Sequence, residues 1–424
     1  MAISKIALRE VLQDQRRMFS ALTRGVSRTL LVEMQALRAT PQVVVITGLR
    51  RSGKSTLLAQ LGDSLGEQSF YYCNFEDERL GDFDLNSFAL LEEVLLELYG
   101  ARNIFLLDEV QVVEGWERFV RRAQDSGVKF FITGSNASLP SKEFGSKLTG
   151  RHHSLDLFPF SFEEFLRFRG VSLDVMSGAQ IRATLARLFQ EFLAQGGIPL
   201  ALQYPESSIL SELYRDVIYR DIVVRYKLDS EKPVKKLAFY LFNNPATLQS
   251  YSKLKQLIQV GSITTIKNYL QYLESAWLCF ELELYDMSVK RQQLSPKKIL
   301  CIDSGFISKL AIAAQSKQGR IFENVIFLEL RRKYSEIYYY LTAKDEEVDF
   351  CIPRAGLFVQ VCLDLSGVET RHREIKSLEG ALAENPEYRG VIITLDNDNE
   401  AEISNPKIKI LTAGECFRYP KFEW

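Results

Sequence analysis

The sequence predicts an α/β fold whose first domain contains a parallel sheet, and three observations support this. Val43 to Ile46 is an uninterrupted run of β-branched residues, as expected of a central strand covered on both faces. Two further mostly apolar runs, IFLL at residues 104–107 and VKFFIT at residues 128–133, also predict strands. Helical patterns lie between these runs, so the strands are expected to be parallel and connected by helices.

Length and composition limit the class of protein. With 424 residues the chain is too long for one ordinary core. The net charge of −1 gives no uniform field that would attract nucleic acid, so such a contact needs a local patch. Six scattered cysteines and three histidines argue against a zinc site and favour buried thiols in a cytoplasmic protein. No apolar run approaches the ~20 residues of a membrane span, so no membrane partner is expected.

The turn after the first strand carries the strongest motif in the chain. Gly48, Gly53, Lys54 and Ser55 fit G-x-x-x-x-G-K-[ST], the pattern of a phosphate-binding loop that opens a helix. The glycines allow successive backbone N–H groups to wrap a phosphate. Lys54 is expected to reach the β- and γ-phosphates, and Ser55 to bind Mg²⁺. The predicted nucleotide-binding residues are Gly48, Arg50, Arg51, Ser52, Gly53, Lys54, Ser55 and Thr56.

An acidic pair follows the apolar run 104–107. Asp108 is expected to hold Mg²⁺ through water, and Glu109 to polarise the water that attacks the γ-phosphate. The alternative is that the pair only starts a solvated loop. In a chain with a phosphate-binding loop we interpret it as the second half of one site, and the predicted ligands are therefore ATP and Mg²⁺.

Two residues beyond the third apolar run are candidates for contacting the γ-phosphate. Asn136 lies at the tip of a strand beside the Mg²⁺ strand, with Thr133 or Ser135 as alternatives. The other interpretation of Asn136 is a helix cap. Arg151 is a candidate arginine finger, in cis or toward a neighbouring subunit, or else a plain surface arginine. The predicted catalytic residues are Glu109, Lys54, Asn136 and Arg151, and the predicted Mg²⁺ ligands are Ser55 and Asp108.

The segment from residue 232 to residue 298 is basic. It has ten Lys or Arg residues against four acidic ones, a net charge of +6. Its pattern of helix, helix, turn, helix and β-hairpin predicts a winged helix, whose helix after Gly261 would face a DNA major groove. That helix has one cation, Lys267, and winged helices also dock proteins, so both partners stay open. The residues expected near DNA phosphates are Lys290, Arg291, Lys297 and Lys298.

The end of the chain predicts a small α/β unit of helix, three strands, helix and strand. This order would bring Glu323, Asp349 and Gln360 together, with Cys362 on the same strand face as Gln360. A metal-dependent phosphodiesterase needs carboxylates and a lysine at these four places. A neutral amide is a poor Mg²⁺ ligand and a cysteine supplies no cation. We therefore predict a degenerate nuclease-like site without catalysis.

The chain resembles prokaryotic ATPases that join an AAA-type P-loop domain to a C-terminal DUF4143 domain with a fold like PD-(D/E)xK nucleases. The blocks that carry the resemblance are ITGLRRSGKST, NFEDERL, IFLLDEVQ, FITGSN, LTGRHHSLDLFPFSFEEF, GGIP, KKILCIDSGF, GRIFENVIFLEL and EEVDF. The resemblance implies the nucleotide and Mg²⁺ roles given above. It also implies a nuclease-like site in which Gln360, Val361 and Cys362 replace the family's Glu-Val-Lys.

These observations give one expected organisation. The predicted parts are a helical lead-in (1–40), a P-loop ATPase core of the AAA/ASCE type (41–158), a helical lid (159–230), a winged-helix-like domain (231–305) and a restriction-endonuclease-like α/β domain (306–424). The expected function is an Mg²⁺-dependent, ATP-hydrolysing switch that acts on or near DNA, with a homo-oligomer or a protein partner as further possibilities. The alternatives are a scaffold that binds ATP without hydrolysing it, and an ATP-gated nuclease.

Overall fold

A five-stranded parallel sheet forms the centre of the first of two units, Met1–Phe158, and the second unit is Pro159–Trp424. The computed structural model describes residues 3–136, 151–171, 178–395 and 404–418. Leu148 to Gly150, the first residues of the block LTGRHHSLDLFPFSFEEF, lie outside the described residues. None of the helices described has both the length and the apolarity that crossing a bilayer requires.

The sheet of the first unit confirms the predicted parallel arrangement. Its strands are β1 (Val43–Thr47), β2 (Phe70–Asn74), β3 (Ile104–Asp108), β4 (Lys129–Gly134) and β5 (His152–Asp156). Their order is β2-β3-β4-β1-β5, and every neighbouring pair is parallel. All five residues of β1 are buried, as its β-branched sequence predicts. The carboxyl ends of all five strands therefore meet at one edge of the sheet.

Helices cover both faces of this sheet. They are α1 (Lys5–Ala21), α2 (Leu30–Ala36), α3 (Lys54–Leu65), α4 (Ser87–Tyr99) and α5 (Trp116–Asp125), with short 3₁₀ turns at Leu37–Ala39, Glu78–Leu80 and Val110–Val112. One face packs against α1, α4 and α5, with Leu12, Leu91 and Phe119 in its core. The other face packs against α2 and α3, with Met34 and Leu58 in its core. The N-terminal helices thus form part of the fold of the first unit.

The second unit begins with helices. They are α6 (Phe162–Phe168), α7 (Gly178–Gln195), α8 (Pro199–Gln203) and α9 (Ile209–Asp216), which continues into a π-helical stretch (Val217–Val224). The predicted capping box is present, because the Ser161 hydroxyl accepts from the Glu164 N–H while the Glu164 carboxylate accepts from the Ser161 N–H.

Residues 232–301 form a three-stranded module. Its elements are α10 (Lys232–Asn243), β6 (Thr247–Gln249), α11 (Tyr251–Ile258), α12 (Ile263–Ser275), β7 (Cys279–Leu282), α13 (Val289–Leu294) and β8 (Lys297–Cys301). The antiparallel sheet has the order β6-β8-β7. The three helices and the hairpin lie where the sequence predicts them, whereas the short strand β6 was not predicted.

Lys297 and Lys298 are not on an exposed wing, and their expected role at DNA phosphates is wrong. Both begin β8, and their side chains are 4% and 1% exposed. The Nζ atom of Lys297 lies 3.0 Å from a carboxylate oxygen of Glu283, and that of Lys298 lies among carboxylates of the following subdomain. Because both ammonium groups have acidic partners, two adjacent lysines can start a buried strand. Lys290 and Arg291 lie in α13 and are exposed.

Residues 318–412 form the C-terminal subdomain, which follows α14 (Ser304–Leu310) and a 3₁₀ turn (Ala314–Lys317). Its elements are α15 (Gln318–Lys333), β9 (Tyr338–Leu341), β10 (Glu347–Ile352), a 3₁₀ turn (Pro353–Ala355), β11 (Leu357–Cys362), α16 (Val368–Glu384), β12 (Arg389–Thr394) and β13 (Ile408–Thr412), followed by α17 (Ala413–Arg418). The sheet order is β13-β12-β11-β10-β9. The strands β9, β10 and β11 pair antiparallel, and β11, β12 and β13 pair parallel. The predicted helix, three strands, helix and strand are present, and β13 was not predicted.

Candidate nucleotide-binding site

The phosphate-binding loop lies between β1 and α3, at the carboxyl end of the parallel sheet. Its two glycines are required for different reasons. A Cβ on Gly48 would lie 2.3 Å from the carbonyl oxygen of Leu157, so no larger residue fits there. Gly53 has φ +98° where it caps α3, a conformation that L-residues rarely adopt. The loop is therefore held close to the chain that follows β5.

Lys54 is the first residue of α3, and its ammonium group lies inside the loop. The Nζ atom is 3.2 Å from the carbonyl oxygen of Gly48 and 3.3 Å from that of Leu49. It is also 3.2 Å from the Ser135 hydroxyl and 3.4 Å from a carboxylate oxygen of Glu109. The loop and the acidic pair are therefore connected directly through Lys54.

Asp108 and Glu109 stand at the carboxyl end of β3, next to the loop. One oxygen of Asp108 accepts a hydrogen bond from the Thr133 hydroxyl, and the other accepts from the Tyr72 hydroxyl at 3.3 Å. Burial raises the pKa of Asp108, and the adjacent Glu109 carboxylate raises it further. Ser55 acts to lower the pKa of Asp108, so the two predicted Mg²⁺ ligands lie near each other.

Glu109 is nine-tenths buried and still ionised. Burial acts to raise the pKa of Glu109, but Lys54 and hydrogen bonds from Ser135 and Gln111 lower it to about 2. Its backbone is in the left-handed region, with φ +51°. Such a conformation is unusual for a residue with a side chain, and here it places the carboxylate against Lys54 and Ser135.

The alternatives to Asn136 contact the acidic pair. The Ser135 hydroxyl donates to Glu109 at 2.7 Å, and the Ser135 N–H donates to the other oxygen of Glu109 at 3.2 Å. The Thr133 hydroxyl also accepts from the N–H of Glu109, at 3.1 Å. Thr133 and Ser135 lie two residues apart at the end of β4, so they face the same way. Asn136 is buried next to them, and its role at the γ-phosphate stays a prediction.

The remaining loop residues differ in their surroundings. Arg50 is ion-paired with Glu76 at 2.9 Å, and Arg51 is exposed. Ser55 and Thr56 are half-buried in the first turn of α3. The hydroxyl of Ser52 is buried, and it has no hydrogen-bond partner among the described residues. A buried hydroxyl without a partner is costly, and a phosphate oxygen in the loop would accept its hydrogen bond.

Arg28 belongs to the site, although the sequence favours a solvated helix face for it and makes a phosphate-facing or partner-facing role the lesser alternative. Its guanidinium donates to the carbonyl oxygens of Ser52 at 2.8 Å and Phe158 at 2.6 Å, and the residue is buried. It therefore connects the N-terminal segment to the phosphate-binding loop. Its only signal in the sequence is its place among several arginines before β1, which also predicts a solvated helix face.

Arg151 lies at the other edge of the sheet from the loop. Its carbonyl oxygen accepts from the N–H of Val43, the first residue of β1, whereas the loop follows the last residue of β1. Its guanidinium is 2.5 Å from a carboxylate oxygen of Asp125. An arginine finger in cis is therefore ruled out by geometry, and a role toward a neighbouring subunit stays a prediction.

The structure also brings together the four residues of the expected nuclease-like site. Glu323, Asp349, Gln360 and Cys362 line one cleft of about 940 Å³ in the second unit. The Gln360 side chain accepts from the N–H of Asp349 at 3.1 Å and donates to Glu374. The four residues lie close together, as the sequence predicted. Both ends of the Gln360 side-chain amide form hydrogen bonds within the protein.

Family models match two parts of the chain. Residues 40–166 match the model described as an AAA domain, and residues 186–317 match the one described as a domain of unknown function, DUF8612. The first match confirms the expected AAA-type domain. The expected DUF4143 domain is wrong, because the model that matches after the AAA domain is DUF8612. The matches give no support to nuclease-likeness.

Two curated relatives cover most of the chain. The uncharacterized protein MJ1544 of Methanocaldococcus jannaschii is 34% identical over 84% of this chain and 81% of its own length. An uncharacterized protein of Haemophilus influenzae is 29% identical over 89% of this chain and 95% of its own length.

Among solved structures, AMPPCP-bound DnaA from Aquifex aeolicus overlaps 57% of this chain and 86% of its own, with 16% identity and a TM-score of 0.28. The ORC2 protein of Aeropyrum pernix in its ADP form overlaps 74% of this chain and 93% of its own, with 12% identity and a TM-score of 0.30. At these TM-scores the overlaps do not define a shared overall structure.

Proposed function

Because this chain belongs to the family of the Methanocaldococcus jannaschii protein MJ1544 and contains an AAA domain, we propose that it binds ATP with Mg²⁺ and hydrolyses it. The observation that carries the proposal is the direct contact of Lys54, Glu109 and Ser135 where the phosphate-binding loop meets the ends of β3 and β4. Phosphoryl transfer to water needs three parts. Lys54 supplies a cation for the phosphates, Glu109 supplies an ionised carboxylate, and Ser135 orients this carboxylate.

The residues of the loop suit a triphosphate and a divalent cation. The unpartnered hydroxyl of Ser52 and the N-terminus of α3 would face phosphate oxygens. Ser55 and Asp108, which lie near each other, would supply the hydroxyl and the carboxylate that bind Mg²⁺. Bound there, Mg²⁺ would neutralise charge on the β- and γ-phosphates.

Glu109 is the proposed base. With a pKa of about 2 it is fully ionised at neutral pH in the nucleotide-free protein, so it can accept a proton from water. Lys54 contributes most to lowering this pKa. When Lys54 turns from Glu109 to a phosphate, the pKa of Glu109 should rise and the carboxylate should become a stronger base. Ser135 would keep the carboxylate in place during this change.

Ser135→Ala is expected to reduce ATP turnover about 10- to 100-fold. A hydrogen bond to a charged group contributes about 1.5–3 kcal/mol, and its loss would let the Glu109 carboxylate rotate away from water. The measurement is phosphate release from Mg²⁺-ATP by the wild type, Ser135→Ala and the neighbouring variant Asn136→Ala. If Asn136→Ala releases phosphate much more slowly than the wild type while Ser135→Ala releases it at the wild-type rate, the role belongs to Asn136 instead. A wild type that binds ATP but releases no phosphate would contradict hydrolysis.

We further propose that the three-stranded module is a winged helix that contacts duplex DNA. The topology supports it: a helix and a strand, then two helices and a hairpin, with the first strand paired to the last. Lys290 and Arg291 are exposed in α13, between the hairpin strands, and Lys267 is exposed on α12. Arg291 lies 3.0 Å from a carboxylate oxygen of Asp286 and would exchange this partner for a phosphate. Unlike the two buried lysines of β8, these three cations are on the surface and can reach phosphates.

The double variant Lys290→Ala/Arg291→Ala is expected to weaken binding to duplex DNA and to lower the salt dependence of binding. Each phosphate contact contributes a slope of about 0.9 in log K against log salt, so loss of two contacts should lower the slope by about 1.8. Fluorescence anisotropy at several salt concentrations measures both. Lys232→Ala/Lys236→Ala, which removes two exposed cations of α10, is the matched control. If Lys290→Ala/Arg291→Ala binds duplex DNA as tightly as the control variant and the wild type do, Lys290 and Arg291 do not contact DNA, and a protein partner is favoured.

A further inference from the structure

Lys298 connects two parts of the second unit. It lies in β8, the central strand of the three-stranded module, and its side chain ends in the C-terminal subdomain. The Nζ atom is 2.6 Å from Glu323, 2.7 Å from Glu347 and 3.1 Å from Asp349, each distance to one carboxylate oxygen. One ammonium group thus sits at the common point of three carboxylates.

The positions of the three carboxylates follow from two elements. Glu347 and Asp349 are two residues apart on β10, so they share a face of that strand. Glu323 comes from α15, which supplies the opposite side. The three side chains converge at the wall of the cleft of about 940 Å³ that also contains Gln360 and Cys362.

Lys298 is charged in this position. Burial acts to lower the pKa of Lys298, but Glu323, Asp349 and Glu347 raise it well above its usual value. A buried ammonium group is stable only with such partners, and the carboxylates in turn need a cation. Lys298 supplies one positive charge to three acidic groups, and burial and the neighbouring Asp349 raise the pKa of Glu323 to about 8, which reduces the negative charge that remains.

The other donors in the cleft do not suit a nuclease-type Mg²⁺ site. The second oxygen of Asp349 accepts from the N–H of Val361 at 2.9 Å. The Gln360 amide is a weak Mg²⁺ ligand and bonds to Asp349 and Glu374. In the wild-type structure, in which the Lys298 ammonium group lies between the acids, no group of three His, Cys, Asp or Glu side chains within the described ranges is arranged to hold a metal ion.

We propose that Lys298 is a built-in cation that takes the place of a divalent metal ion among Glu323, Glu347 and Asp349. The C-terminal cleft is then closed to catalytic metal in the wild type, and metal-dependent phosphodiester cleavage is not its function. The proposal is independent of ATP hydrolysis in the first unit. It predicts that removal of the ammonium group opens a divalent-cation site.

Lys298→Met tests this directly, because methionine keeps a linear side chain that is one heavy atom shorter and leaves the place of Nζ empty. The full chain without nucleotide is titrated with Mn²⁺, and free Mn²⁺ is followed by electron paramagnetic resonance. Lys298→Met is expected to bind one more Mn²⁺ per chain than the wild type. The added site should be lost in Lys298→Met/Asp349→Asn. A folded Lys298→Met that gains no site would overturn the proposal.

Two controls keep the test decisive. Lys297→Met removes the adjacent buried lysine, which pairs with Glu283, and should gain no Mn²⁺ site. Asp349→Asn alone should bind the same amount of Mn²⁺ as the wild type. If it binds less, the wild-type cluster holds metal and the proposal is wrong. This comparison decides the question even if Lys298→Met does not fold.

Discussion

Replacing Glu109 with glutamine is expected to lower the rate of ATP hydrolysis by about 10³-fold while ATP remains bound. Glutamine has nearly the same shape and can still accept a hydrogen bond from the Ser135 hydroxyl, but its neutral amide cannot accept a proton from water. The contacts of Lys54 with the carbonyl oxygens of Gly48 and Leu49 do not involve Glu109, so the loop should keep its conformation.

Single-turnover phosphate release and equilibrium binding of a fluorescent ATP analogue separate the two effects. Glu114→Gln is the matched control, since Glu114 is an exposed acid a few residues further along the same segment. If Glu109→Gln turns over ATP at the wild-type rate, Glu109 is not the base. If it no longer binds ATP, the residue supports the loop instead of the chemistry.

Replacing Lys54 with methionine is expected to weaken ATP binding about 10- to 100-fold and to abolish measurable turnover. The Lys54 ammonium group lies beside both the carbonyl oxygens of the loop and the Glu109 carboxylate. Hydrogen bonds between a charged donor and its acceptor contribute about 1.5–3 kcal/mol, which corresponds to this range of affinity. Methionine also leaves Glu109 buried without its nearest cation, so the pKa of Glu109 should rise.

Isothermal titration calorimetry with ATP and Mg²⁺ measures the affinity. Lys129→Met is the matched control, because Lys129 is a second buried lysine of the first unit. Its Nζ atom donates to the carbonyl oxygens of Thr40 and Gln42, at 2.9 and 2.5 Å, at the other end of the sheet. The Lys129→Met variant should be less stable than the wild type but should bind ATP with the same affinity. Equal losses of affinity in both variants would mean that Lys54 acts only through folding.

Short-range sequence patterns predicted most elements of the first unit. The strand that they failed to predict was missed for a physical reason. The strands β1, β3 and β4 are buried along their whole length and mostly apolar, and they were predicted. The edge strand β5, His152–Asp156, has only one buried residue, so neither alternation nor an apolar run marks it. Its pairing with β1 depends on backbone hydrogen bonds, which sequence patterns do not show.

The residues at the site were predicted where a motif contains them and missed where distant chain segments meet. Lys54, Asp108 and Glu109 follow from local spacing. Arg28 precedes α2 and β1 in the sequence, and it contacts the loop only because the chain folds back after them. Similarly, a basic pair that begins β8 is typical of a solvated loop, and only the fold shows that Lys298 meets the acids of α15 and β10.

The anchoring of the loop by Arg28 has a consequence for anyone who isolates the ATP-binding part of this protein. The AAA family match starts at residue 40, which would be a natural place to cut a gene. A fragment that begins there loses the arginine that grips the loop, together with α1, whose Leu8 and Leu12 cover one face of the sheet. Such a fragment would expose this face and aggregate, whereas one that begins before Ser4, the N-cap of α1, would keep both.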